Sequence, residues 1–386
     1  NVTERTLIMV FEVILNCNSL DELLDSGSAD EYPDTFGRKT HIERYRELAK
    51  KFAQFPVEMG AMQAAIKEWM DEIQEKSKDI NKNENKEDRD REINKLFEDD
   101  PIIFLNRHDV SHTKKVMDRA LELIKCFNRI DFSCYEIYFL LCAIVVHDVG
   151  NIYGRAGHEK KLAEILNNQC DNIIPDAIER RVISRIAGVH GGKIKGSSDT
   201  ISVLNKTNTV NGFEIKEQLL AAILRFADEL ADDATRADYD ALDNGIIGPA
   251  SQIYHIYSEK LHTVALQKNK VTNAYEVYLA YQFDSNVAKT LYGKAGHQRY
   301  LVDEIYARTI KMERERRYCI RYLRPYCSLE RIVVEIVITK DVFDEERISY
   351  TLEEKGYPVA PFSSIKDVST DILSGEELVA KLEGGK

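Results

Sequence analysis

The stretch Tyr135–Val146 (YEIYFLLCAIVV) is apolar on every side of a helical wheel except at Glu136, and it runs straight into His147–Asp148–Val149–Gly150. A helix that is apolar all round is a buried one, so this segment is expected to be the central helix of a bundle. Its longest uninterrupted apolar run, Phe139–Val146, falls well short of the roughly 20 residues of a membrane-spanning helix. On the N-terminal side, Val116, Ala120, Ile124 and Phe127 recur at helical spacing. On the C-terminal side the same spacing predicts helices over 158–167, 176–187 and 216–231. No strand alternation is read between 100 and 240, so this part is expected to be all-α.

Further out the pattern changes. Residues 1 to about 75 read as helices, with apolar spacing in Leu7–Leu15 and Met59–Met70 and polar punctuation at 26–37. Glu75–Lys95 is almost wholly polar, so residues 1–99 read as an N-terminal helical extension with a charged linker at 75–95. Beyond 240, Ile253–Tyr257, His262–Gln267 and Tyr275–Phe283 read as strands, with a turn at Lys268–Asn273. A charged helix follows over 297–324, stopped by Pro325, and then Ile332, Val334, Ile336 and Ile338 alternate as a half-buried strand. The expected architecture is mainly α. A helical bundle spans 100–240, a smaller α+β region 241–345, and a weakly patterned tail 346–386.

Composition narrows the function. The 386 residues are 44% hydrophobic and 31% charged, the balance of a soluble globular chain, and collagen-like and wholly disordered classes are excluded. Lys and Arg number 53 against 65 Asp and Glu, a net charge of −12. Nucleic-acid binding runs on phosphate neutralisation and is disfavoured in so acidic a chain. The seven cysteines are scattered without a CxxC pair, which predicts a reducing, cytoplasmic setting. No basic region precedes the apolar Leu7–Val10, so no signal peptide and no membrane partner are expected.

The chemistry lies with the histidines. Among apolar surroundings an ionised Asp148 beside His147 is costly unless something compensates, and a divalent ion compensates both. His112 opens the preceding helix, and Asp228 lies among Leu224, Phe226 and Leu230 on a later one. Side chains from facing helices can converge on one ion in a bundle core. His108, one turn before His112, His158 after a Gly-containing loop (YGRAGHE) and His190 before Gly191–Gly192 fit the same wall. Arg155 and Lys193, on glycine-containing loops beside these candidates, are placed to meet a phosphate. His41, His255, His262 and His297 read as structural. The cations of 297–324, Arg308 and Lys311 among them, read mainly as a solvated face paired with Glu313 and Glu315.

These motifs resemble a known family. HxxxV at 112–116, HDVG at 147–150 and AD at 227–228 look like the H…HD…D pattern of HD-domain metal-dependent phosphohydrolases. The resemblance covers about 105–235. It implies that His112, His147, Asp148 and Asp228 hold one divalent metal (Mn, Mg, Fe, Zn or Ni), with His158 and His190 positioned for a second. GHEKKLAEIL resembles the HE-containing helix of HD-type deoxynucleoside triphosphate hydrolases. That implies a part in the chemistry for His158; Glu159 and His190 are expected to be catalytic with it, and Arg155, Lys193 and His108 to contact substrate. The sequence differs from the HD-GYP phosphodiesterases in having HGG at 190–192 in place of a His–His pair, and it lacks their GYP tripeptide. Asn151 stands where family triphosphohydrolases usually carry His. The implied function is a metal-dependent hydrolase of nucleotides, best matched to deoxynucleoside triphosphates and acting as a homo-oligomer, in a family that appears in bacterial signalling and anti-phage systems. The alternatives are a cyclic mono- or dinucleotide phosphodiesterase and a non-catalytic nucleotide- or partner-binding module.

Overall fold

A computed structural model describes residues 16–26, 32–35, 38–53, 75, 78, 110–129, 132–153, 157–236, 247, 249–293, 296–340, 344–354 and 362–384. The expected helices at Leu7–Leu15 and Met59–Met70, and the charged linker apart from Glu75 and Lys78, lie outside these residues.

The protein is mainly α, with a smaller α+β part toward the C-terminus. Among the described residues, two N-terminal helices, α1 (Leu20–Asp25) and α2 (His41–Ala53), precede α3 (Val110–Lys125) and α4 (Cys134–Val146). Helix α4 is the expected central helix. Ser133 and Glu136 form a reciprocal capping box at its start, and all thirteen of its residues are buried. The longer segment Cys134–Tyr153 is long and apolar enough to cross a bilayer by length and composition, but 89% of its most apolar window is buried inside the protein. Against α4 pack α6 (Ala177–Ala187) and α7 (Glu217–Leu230), with α5 (Leu162–Gln169) on α6, α3 against α7 and the N-terminal α2 directly on α4.

The expectation of an all-α segment from 100 to 240 needs correction. Between α6 and α7 lies a short antiparallel hairpin, β1 (Asn208–Val210) and β2 (Phe213–Ile215). Its two-residue turn, Asn211–Gly212, has φ of 51° and 87°. Asn-Gly tolerates this left-handed backbone, and the resulting turn matches the twist of paired strands. Three-residue strands are too short to show alternation.

A second correction concerns Ile253–Tyr257, expected as a strand. It lies inside α8 (Pro249–Lys260). This helix packs against α7's following turn at Ala234–Arg236, the long C-terminal helix and the sheet, so it buries more than one face. Ser251, Ile253, His255 and Tyr257 are all buried. Burial on several sides blurs the 3.6-residue period into an apparent alternation.

Strands β3 (Leu261–Lys268) and β4 (Tyr275–Asp284) then form a hairpin. After α9 (Ser285–Lys289) and the small pair β5 (Leu291–Tyr292) and β6 (Arg299–Tyr300), helix α10 (Leu301–Leu323) crosses to β7 (Leu329–Thr339), which pairs in parallel with β4. The stretch read as a tail contributes β8 (Glu345–Glu353), an antiparallel edge to β7, and α11 (Gly375–Gly384), which packs on α9 and α10. In β8, Ile348, Tyr350 and Leu352 alternate inward. The sheet order is β3-β4-β7-β8. Helix α10 is wedged between this sheet and α7.

One buried polar knot ties α2 to the bundle. Glu179 of α6 accepts from Tyr135 Oη at 2.8 Å, meets His41 Nε2 at 3.0 Å and pairs with Arg44 at 3.3 Å. The structural reading of His41 therefore holds. Removing one partner of a buried ion pair strands the other charge, which typically costs about 3–5 kcal/mol. Glu179→Ala is accordingly expected to lower stability by about 3 kcal/mol or more, read as a shifted urea midpoint by circular dichroism.

Candidate metal centre

Four helix ends and one tight turn deliver six titratable side chains to one point. His112 comes from the first turn of α3, His147 and Asp148 from the end of α4, Asp228 from the last turn of α7, and His190 from just beyond α6. His158 sits in a 3-10 turn, His158–Lys160. That turn lies against the chain leaving α4 because residue 150 is glycine. A Cβ at Gly150 would stand 2.0 Å from the His158 carbonyl oxygen.

Asp148 is the hub. Its Oδ2 lies 3.5 Å from His147 Nε2 and 3.7 Å from His112 Nε2. Its Oδ1 lies 3.5 Å from His158 Nε2 and 3.7 Å from His190 Nε2, and accepts from Asn151 Nδ2 at 3.0 Å. Asp228 Oδ1 closes the first side, 3.2 Å from His112 Nε2 and 3.7 Å from His147 Nε2. The two Nε2 atoms of His158 and His190 face each other at 3.3 Å. Each carboxylate oxygen of Asp148 thus faces its own pair of imidazoles.

The outer nitrogens fix the tautomers. His147 Nδ1 is 2.7 Å from the Ile144 carbonyl and His190 Nδ1 is 2.6 Å from that of Ala187. A carbonyl only accepts, so each Nδ1 carries the proton and each Nε2 turns toward the cluster. Burial, with His147 nearby, pulls His190 down to about 4, so its Nε2 is an unprotonated acceptor aimed at another acceptor, Asp148. For His147 burial works the other way from its neighbours, and Asp148 and Asp228 prevail, raising it to about 9. Burial would raise the Asp228 carboxyl, but the His112 and His147 imidazoles beside it hold it well below the ordinary range.

The donor set fits a divalent cation. His147 Nε2 is buried yet stands 3.5 and 3.7 Å from its nearest carboxylate oxygens, longer than an ordinary N–H···O bond, and the unprotonated His190 Nε2 faces the acceptor Asp148 Oδ1. A cation resolves both. His112, His147 and Asp148 form one set whose ligand atoms lie within 4.8 Å of one another, and Asp148, His158 and His190 form a second. Such imidazole and carboxylate sets suit several divalent transition ions, and they do not select among them.

The remaining expected residues fall around this point. Glu159 Oε2 lies 3.4 Å from His158 Nδ1, steadying the ring from behind. Lys193 is exposed and lines the cleft in front. Arg155 and His108 lie outside the described residues. His255 is buried in α8, and His262 and His297 are exposed; none of them joins the cluster.

The cluster opens into a cleft of about 920 Å³, within the usual range of small-molecule sites. Its far wall was not expected. Arg299, Arg308 and Lys311 line it together with Tyr254 and Tyr257 of α8. Of the reading of the α10 cations as a solvated face paired within the helix, the pairing holds for Arg316 and Arg317, which meet Glu313, but Arg316 and Glu313 are buried and not solvated. It does not hold for Arg308 and Lys311. They reach across to Asp232 and Glu229, while Arg225 of α7 takes Glu315. The available signal was a single charged stripe, Glu304–Arg308–Lys311–Glu315, at helical spacing.

A family model described as HD-CE matches residues 96–311, more than half of the chain. No curated protein and no solved structure matches it. The match runs past the bundle and takes in α8, β3, β4, β6 and the first half of α10; of these, α8, β6 and α10 line the far wall.

Gly150→Ala tests the local geometry. It is expected to push the His158 turn away and to lower the bound divalent metal, measured by elemental analysis after loading. The helical circular dichroism spectrum is expected to stay close to that of the unmodified protein.

Proposed function

The chain belongs to the HD-CE family, its His/Asp cluster fits a metal-dependent hydrolase, and from that footing we propose that it hydrolyses phosphorylated nucleotides, with deoxynucleoside triphosphates as the leading substrates. The observation that carries this reading is the two-sided environment of Asp148, each oxygen facing two imidazole Nε2 atoms. His112, His147, Asp148 and Asp228 would hold one ion; Asp148 with His158 and His190 would hold another. A divalent ion there supplies a Lewis acid, which makes water a nucleophile near neutral pH and polarises a phosphoryl oxygen.

The protein's own groups do the rest. The Ile144 and Ala187 carbonyls hold His147 and His190 in the ligating tautomer. Asn151 orients Asp148 through Oδ1. Where His158 is not a ligand, Glu159 at Nδ1 orients its ring at the lining of the cleft, the place for a general acid to protonate a leaving oxygen. Lys193 stands at the mouth, where an incoming phosphate meets it first.

The test is incubation with Mn²⁺ or Mg²⁺ and a panel of dNTPs, NTPs and cyclic nucleotides, with products resolved by ion-exchange chromatography. The expected products are nucleoside and inorganic triphosphate, reduced about 100-fold or more by Asp148→Ala. Linear nucleotides from cyclic ones would instead identify a phosphodiesterase. No product, together with no bound metal, would overturn the hydrolase reading in favour of a binding module.

A further inference from the structure

The far wall of the cleft carries cations in two different states. Arg225 and Arg308 are locked. Arg225 makes a two-point pair with Glu315, through Nε at 2.7 Å and Nη2 at 2.9 Å, and donates from Nη1 to Thr200. Arg308 donates to Asp232 at 2.8 Å and Glu304 at 2.7 Å, and its guanidinium lies 4.5 Å from the centre of the Tyr257 ring. Their guanidinium planes are thereby fixed in place.

Lys311 is different. Its side chain is 63% exposed, and among the described residues its ammonium meets one carboxylate, Glu229 Oε2, at 2.6 Å. An ammonium has three donors, so two remain for something else. Its stem is flexible, which suits it to follow a mobile anion. Its position is the telling feature. Glu229 follows the metal-site residue Asp228 directly in the chain, so Lys311 is anchored beside the cluster but on the opposite wall. Glu229 would by itself repel an anion arriving there, and Lys311 cancels it.

We infer that Lys311 binds the outer phosphates of a polyphosphorylated substrate, with Glu229 holding the ammonium in place, so that the cleft selects compounds with two or three linked phosphates over monophosphates. This rests on the reading of the cluster as the centre of phosphate chemistry, and it makes α10, outside the HD bundle, the source of substrate selection.

Calorimetric titration of the full chain in Mg²⁺-saturated buffer tests it, with inorganic triphosphate and orthophosphate as probes. The unmodified protein is expected to bind triphosphate at least tenfold more tightly than orthophosphate. Lys311→Ala is expected to lose about tenfold for triphosphate while staying within twofold for orthophosphate, and Lys311→Arg to keep most of the preference. The inference is overturned by unchanged triphosphate affinity in Lys311→Ala, by equal losses for both probes, or by no measurable triphosphate binding to the unmodified protein. Nucleotide hydrolysis is followed separately. Lys311-dependent triphosphate binding without hydrolysis would leave this inference standing and remove the hydrolase reading; hydrolysis unaffected by Lys311→Ala would do the reverse.

Discussion

Four imidazoles crowd one carboxylate at the end of α4. Asp148 has four imidazole nitrogens within 3.7 Å, and the neutral His190 presents a lone pair to it instead of a proton. In a largely buried place such an arrangement costs free energy unless a positive charge sits among the donors. Much of the nearby structure works to maintain it. The bundle excludes water from His112 and His147, carbonyl oxygens hold the outer nitrogens, and Gly150 admits the backbone of His158. The central helix is apolar up to Val146 and polar from His147 because it must anchor the core and then end at the cluster.

This division explains what could be read from the residues alone. The buried helix was legible since thirteen consecutive buried positions leave an unmistakable composition. The convergence of His112, His147, Asp148 and Asp228 was legible because each is a polar residue that an apolar helix would not otherwise carry. His158 and His190 could be placed beside them by their glycine neighbours. Asn151 was noted only as a departure, and its role emerges from a single distance, 3.0 Å to Asp148.

The misreadings have a common origin. Pattern reports how a segment meets its surroundings only when those surroundings lie on one side. Helix α8 is enclosed on several sides and so looked like a strand. The charged stripe of α10 looked solvated because its partners, Glu229 and Asp232, lie about 80 residues earlier in the chain. Strand β8 escaped notice because it is an edge strand whose outward residues are polar or charged, although its inward residues complete the sheet.

Helix α10 has a mechanical consequence. It connects β4 to β7, which are paired in parallel over ten residue positions, and its buried side rests on that sheet while its charged stripe fronts the cleft. The helix therefore cannot slide or tilt without disturbing the sheet's core, and this side of the cleft behaves as a fixed jaw. Among the described residues, the opposite side includes short turns with left-handed backbone at Gly157 and Gly192. Any widening of the mouth to admit or discharge a ligand must be taken up there. The ligand-bearing turns are thus the compliant jaw, and the segment outside the bundle is the anvil against which they close.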